Sequence, residues 1–374
     1  MGVIAATILA ELWWQLLAFT PLRWALPTPA AAFYGPDAFT GYRHRANASG
    51  MWLGEHRAFV RISGLGLRDR ERDLAHGAGP RTVVVGNSFI EAFQVDLSET
   101  AVAVAEDIVS RQHPGAEVVN LGLSGANPAV EVARLQTQGL ALRPDLAVIV
   151  LQADDLTMRR ADNDSEFTAY RPGADQQYHL SYGFRQSRGY RFRTSAAGRA
   201  MYALLDYSQA ARILNDRRNA GMLAEWPRPR QVEPEPIAGG ACAANALDAQ
   251  IALWIEGRPA EGRAILDAII RDLAAISQQH RLPIIVATRA IDADCPSLAA
   301  KRSGLVAAIR SQLAKAGLQF ADLDERVAEK VGTDGVAKLY GFGPSLGRGH
   351  LNVTGNRVYG EVLANIIENA LPGR

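Results

Sequence analysis

Cysteine is nearly absent: the 374-residue chain has two, Cys242 and Cys295. Neither has metal-ligand spacing, which removes zinc ribbons and thiolate-held clusters from consideration. The two are compatible with one disulfide in an oxidising compartment and equally with two unrelated thiols. An excess of charge of either sign is also lacking. With a formal net charge of +1 there is no electrostatic reason to expect nucleic acid as a partner. No internal repeat, low-complexity tract, P-loop or dinucleotide fingerprint occurs, and no ligand cluster implies a metal or organic cofactor. Hydrophobic residues make up 48% of the chain and charged residues 21%, the proportions of a globular protein with a substantial core.

What the chain does have starts near the N-terminus. From Val3 to Phe19 it is almost wholly apolar, and it continues through Leu22 to Leu26 with Glu11, Gln15 and Arg23 as the conspicuous polar breaks. About 20 such residues cross a bilayer as a helix, so residues 1–26 are expected to form one transmembrane helix. Trp13, Trp14 and Trp24 suit interfacial or lipid-facing positions, and Arg23 can snorkel to a head group. Glu11 is the exception, because a carboxylate within a span is costly. Either it meets a partner on another transmembrane subunit, or the span is tilted and Glu11 lies near an interface. A cleaved signal peptide ending at Ala30-Ala31-Ala32 competes with this reading. No Lys or Arg precedes the apolar run, which favours a retained helix.

Beyond the span, Pro27–Ala78 reads as a connecting arm, rich in Pro, Gly and aromatics and extended over a domain surface. Strands are expected at Arg81–Val85, Ala116–Asn120, Leu146–Leu151, Pro283–Ala287 and Gln319–Ala321. Helical periodicity lies between them at Thr100–Arg111, Pro128–Leu140, Arg263–His280 and Leu305–Ala316, and Val353–Ala370 closes the series. Alternating strands and helices predict an α/β fold, a three-layer α/β/α sandwich around a parallel five-stranded sheet. Residues 79–156 and 258–374 supply it in two parts. The interval 157–257 breaks the alternation and reads as an insertion or lid. Within it, Arg185, Arg188, Arg191 and Arg193 interleave with aromatics, a pattern able to grip anionic groups and equally that of a solvated edge, and a Pro-rich run follows from Trp226 to Pro236.

The most informative segment is Thr82-Val83-Val84-Val85-Gly86-Asn87-Ser88-Phe89, a run of strand formers that stops at glycine and presents a serine. A buried strand breaking there puts the Ser88 hydroxyl at the carboxyl edge of the sheet, where α/β proteins carry chemistry. Three segments follow in order: Asn120-Leu121-Gly122-Leu123-Ser124-Gly125 after a second strand, Gln152-Ala153-Asp154-Asp155 after a third, and Gly349-His350-Leu351-Asn352 before the last helix. Together they resemble the blocks of the SGNH or GDSL hydrolase superfamily, in particular its bacterial membrane-anchored, lysophospholipase-like branch. The resemblance runs from about Tyr34 to Leu371 apart from the divergent middle. It implies Ser88 as nucleophile, His350 as general base, and an oxyanion hole from the Ser88 and Gly125 amides completed by a side-chain amide at the position of Asp154. It also implies a single-pass protein of the bacterial inner membrane with its large domain in the periplasm.

The chain departs from that pattern at three polar supports. Gly86-Asn87-Ser88 stands where the family has Gly-Asp-Ser, and Asp154 replaces the amide donor, where an ionised carboxylate would repel an oxyanion. Gly347 and Arg348 occupy the places from which an aspartate orients the base. Two readings follow. In one, the fold persists with a degenerate site as a non-catalytic accessory subunit of a photosynthetic, respiratory or envelope membrane complex. In the other, Ser88 and His350 form an esterase, O-acyl transferase or deacetylase for acylated glycans or lipids, with Asp154 protonated or with another carboxylate such as Asp155 or Asp334 serving His350. An open cleft at Ser88 and a carboxylate in hydrogen-bond reach of His350 distinguish the second from the first.

Overall fold

The computed structural model describes residues 2, 6, 9–13, 16, 32–75, 77–152, 166–208, 211, 259–289, 306–307, 309–347 and 349–371. Residues 32–75 hold two antiparallel hairpins, β1 (Tyr34–Asp37) with β2 (Gly41–His44) and β3 (Ser49–Trp52) with β4 (Ala58–Arg61). The arm is therefore folded, not extended. The reason is in its apolar residues: Phe33, Val60 and Ile62 are buried against Phe93 of the main domain, with Tyr34 and Trp52 packed around them. The Phe93 ring meets Phe33 at 5.2 Å and Trp52 at 5.5 Å, both edge to face, a geometry that suits the aromatic quadrupole. Polar ties add to this grip. Asp69 accepts the Asn120 amide at 2.8 Å, and the buried Arg72 guanidinium bonds Asp69 at 2.8 Å and the Val118 carbonyl at 2.9 Å.

The sheet begins with β5 (Arg81–Gly86) and continues with β6 (Glu117–Gly122) and β7 (Leu146–Gln152). A small hairpin of β8 (Ala169–Pro172) and β9 (Tyr178–Ser181) lies within the insertion, and β10 (Ile284–Arg289) and β11 (Gln319–Asp322) complete the sheet. The spatial order is β11-β10-β7-β5-β6, with every pair parallel. The expected five strands are thus found within two residues of their predicted ends. Because β5 comes first and is flanked by the second and third strands, the chain reverses its direction of travel beside it. The carboxyl edge at β5 is therefore a topological switch point, the usual location of ligands in open parallel sheets.

Among the helices of the described residues are α1 (Ser88–Glu91), α2 (Ala101–Gln112), α3 (Pro128–Arg134), α4 (Arg188–Thr194), α5 (Ala196–Tyr207), α6 (Pro259–His280), α7 (Leu323–Val331) and α8 (Val353–Ala370). Side chains of a strand alternate between its faces, so Val83 and Val85 join a core with α3 and α6, whereas Val84 joins a core with α2, α7 and α8. All three valines are fully buried, each contributing about 1.5–3 kcal/mol by transfer. This is the three-layer sandwich expected from the alternating pattern.

The N-terminal expectation fares differently. Trp14, Arg23 and Trp24 lie outside the described residues, and among the described residues no helix is long and apolar enough to cross a membrane. Trp13 is exposed, and Glu11 accepts a hydrogen bond from Ser208, just beyond α5, at 3.3 Å. The partner seen for Glu11 is in its own chain. Cys242, Cys295 and the Pro-rich run also lie outside the described residues.

Candidate active site

Ser88 is where the sequence puts it, two residues past the end of β5 and at the start of α1. Asn87 explains part of the departure from the family block: it is the N-cap of α1, and its side-chain oxygen accepts the Phe89 amide at 3.1 Å. An uncharged amide serves that purpose as well as a carboxylate does. His350 arrives from the other end of the chain, in the loop before α8. Its carbonyl accepts the Gly341 amide at 2.8 Å, Leu351 bridges to Tyr340, and Asn352 caps α8 by accepting the Gly355 amide at 2.9 Å. The Phe89 ring lies against the imidazole with centroids 4.8 Å apart. So held, His350 Nε2 is 2.8 Å from Ser88 Oγ.

The carboxylate that serves His350 comes from the arm. Glu55, in the loop between β3 and β4, accepts the His350 backbone amide on Oε2 at 2.9 Å and bonds the imidazole Nδ1 through Oε1. Its neighbour His56 docks the loop, stacking on Phe342 at 4.5 Å with Nδ1 3.1 Å from the Gln94 carbonyl. Partial burial pushes the Glu55 carboxyl up, but the hydrogen bonds and the positive charge that His350 can offer outweigh it, and the net direction is below the ordinary carboxylate value. Glu55 is thus an anion facing Nδ1, which fixes the tautomer that leaves the Nε2 lone pair for Ser88. The expectation that Asp155 or Asp334 plays this part is corrected: Glu55 holds the position, while Asp154, Asp155 and Arg348 lie outside the described residues, as does the side chain of Asp334. One clue was in the sequence. Gly349 has φ +87°, and a Cβ there would lie 2.6 Å from Glu55 Oε2, so glycine is what lets the carboxylate approach.

Two backbone amides complete what the described residues offer. Neither Ser88 N–H nor Gly125 N–H donates to a protein acceptor among the described residues, and Gly125, with φ +73°, is exposed. The amides on either side of Gly125 are both engaged: Ser124 N donates to Glu91 at 3.0 Å and Ala126 N to the Leu123 carbonyl at 3.0 Å. The Ser88 amide belongs to the residue that bears the hydroxyl, and the Gly125 amide to the loop that Glu91, in the same helical turn as Ser88, holds through Ser124; two such donors are the ingredients of an oxyanion hole.

Glu91, unremarked in the sequence, ties these pieces together. It closes α1 and is fully buried. Its Oε1 accepts Ser124 N, Tyr34 Oη at 2.8 Å and His44 Nε2 at 2.6 Å, and its Oε2 accepts the Ser124 hydroxyl. Tyr42 Oη donates to the Ser124 carbonyl. Burial alone would raise the Glu91 carboxyl, but the bonds from His44 and Ser124 bring it below its ordinary value. His44 is fully buried, and the loss of hydration lowers its pKa in spite of Glu91. Its Nδ1 has no hydrogen-bond partner among the described residues, which also favours the neutral ring. Nearby, Arg134 donates Nε to the Leu121 carbonyl at 2.8 Å, and burial brings its pKa down to about 10 against the upward pull of Glu91.

A cavity of about 370 Å³ opens at Gly125 and is lined also by Tyr42, Glu166, Phe167 and Arg193. Among the described residues no group of three or more His, Cys, Asp or Glu side chains is placed to hold a metal ion.

No family model and no curated protein matches this chain. Solved structures do. The chain is similar to an alpha/beta hydrolase enzyme from the metagenome of Lake Arreo (13% identity, 80% of this chain and 100% of that one, TM-score 0.40). It is similar as well to the lipase/acylhydrolase from Enterococcus faecalis (14%, 79% and 98%, TM-score 0.38). A third likeness is to a catalytic mutant of an acetylxylan esterase from Geobacillus stearothermophilus (13%, 80% and 99%, TM-score 0.39).

Proposed function

We propose that the chain is a serine hydrolase or acyl transferase of SGNH type that cleaves or moves an ester-linked acyl group. The observation that carries this reading is the Glu55–His350–Ser88 relay, with Nε2 at 2.8 Å from the serine hydroxyl and the opposite ring nitrogen held by a carboxylate. In the first step His350 Nε2 takes the hydroxyl proton as Ser88 Oγ bonds to the ester carbonyl carbon. The carbonyl oxygen becomes an oxyanion facing the Ser88 and Gly125 amides. His350 then returns the proton to the departing alcohol, leaving an acyl-serine. Water, or the hydroxyl of an acceptor sugar or lipid, repeats the sequence in reverse and frees Ser88. One oxyanion donor supplies about 3–4 kcal/mol of transition-state stabilisation.

Acylated glycans and lipids are the proposed substrate class. The apolar run in residues 1–26 supports a further proposal, that the enzyme is anchored in the bacterial inner membrane and works in the periplasm. A non-catalytic role in a membrane complex is favoured by one observation, the carboxylic Asp154 in place of the amide donor, and opposed by the complete relay. Incubation of the full-length protein with a fluorophosphonate probe separates the two. Labelling of wild type and none of Ser88→Ala is the expected result. A folded wild-type protein that takes no label overturns the hydrolase reading.

A further inference from the structure

Of the four arginines interleaved with aromatics in the insertion, three have ordinary employment. Arg185 lies over the Tyr182 ring at 4.4 Å and the Phe39 ring at 5.3 Å and donates to the Ala38 carbonyl. Arg188 and Arg191 are exposed. Arg193 differs. It sits in the last turn of α4, is partly buried, and has its Nε shut away from water with no hydrogen-bond partner among the described residues. It lines the cavity that opens at Gly125, whose amide the hydrolase reading assigns to the oxyanion. Glu166 lines the same cavity, yet no ion pair joins the two among the described residues. Tyr42 and Phe167 supply the flanking rings.

A guanidinium that is partly desolvated at Nε, unpaired among the described residues and in the same cavity as Gly125 has donors to spend on a ligand. Such a group binds a carboxylate or phosphate oxygen through charge-assisted hydrogen bonds. Building on the hydrolase reading, we propose that Arg193 selects esters that carry a negative charge close to the scissile bond, so that the substrate class is an anionic acyl ester. The aromatic walls hold the uncharged part, and the cavity has room for a small acyl or sugar unit beside the anion. The charge can sit on the acyl side or the alcohol side of the ester, and the two are experimentally separable.

The test uses two matched pairs on the full-length protein. Mono-4-nitrophenyl succinate against 4-nitrophenyl butyrate places the charge on the acyl side. 3-Acetoxybenzoate against phenyl acetate places it on the alcohol side. The wild type is expected to favour the anionic member of one pair by about 10-fold or more in kcat/KM, the size of a hydrogen bond to a charged group. Arg193→Gln should erase that ratio, Arg193→Lys should restore part of it, and Arg188→Gln should leave it in place. Rates are normalised to sites titrated with fluorophosphonate, which separates loss of folded protein from loss of selectivity. Equal rates within both pairs, or a preference that survives Arg193→Gln, overturns the proposal while the hydrolase reading stands. A folded protein that cleaves none of the four esters and takes no label overturns both.

Discussion

Glu55 and His350 lie 295 residues apart in sequence and share two hydrogen bonds, one to the backbone amide and one to the imidazole. The carboxylate of the relay is therefore carried by the arm that precedes the sheet. A hairpin that reads as a connector is part of the site.

Glu55→Gln tests that relationship directly. Gln keeps the size but presents either a neutral oxygen or an N–H to Nδ1, and the useful tautomer is no longer enforced. Turnover of 4-nitrophenyl butyrate is expected to drop by roughly 10³–10⁴, the scale known for loss of a triad carboxylate. Thermal unfolding should confirm a folded variant. A decrease of less than about tenfold would assign the role to another carboxylate.

Glu91→Gln probes the link between nucleophile and oxyanion donor. Glu91 and Ser88 share one helical turn, and Glu91 binds both the amide and the hydroxyl of Ser124, the residue before Gly125. Replacing one oxygen with an amide nitrogen loosens that loop where precision matters, since donors must meet the oxyanion and not the ground-state carbonyl. The expected signature is a kcat reduced by about 10- to 100-fold with KM nearly unchanged, and a parallel loss of affinity for a trifluoromethyl ketone. A rise in KM with kcat intact would show that Glu91 shapes substrate binding instead.

Stability should decline on mild acidification because of His44. Its folded pKa is lowered, chiefly by burial, so the unfolded chain binds a proton below about pH 6.5 while the folded one resists it. Stability contributed by the neutral ring is thus full above about pH 6.5 and is lost as the pH falls toward the folded value. Urea midpoints at pH 7.5 and pH 5.5 should differ more for wild type than for His44→Gln, which has no such proton to bind. Identical pH shifts in the two proteins would contradict this assignment.

The sequence by itself determined the scaffold and the two residues proposed as nucleophile and base. Runs such as Val83-Val84-Val85 and Leu146–Leu151, short, rich in β-branched residues and bounded by Gly86 and Pro144, read as strands covered on both faces, and helical periodicity between them points to parallel crossovers. Gly86 breaking a buried strand just before Ser88, and His350 just before a capped helix, were legible because strand ends and helix caps are written in adjacent residues. Gly125 was legible for the same reason.

Only the tertiary structure decided which carboxylate serves His350 and which one organises the oxyanion loop. Hydrogen bonds between side chains depend on distance in space, and no spacing rule connects Glu55 with His350 or Glu91 with His44 and Ser124. The hairpin carrying Glu55 reaches the site because Phe33, Val60, Ile62 and Trp52 find an apolar seat around Phe93, and that seat exists only once the sheet has formed. Gly349 records the approach of Glu55, but a glycine beside a histidine does not say what it makes room for. Local order follows from neighbouring residues, and the chemistry waits on the burial that brings distant ones together.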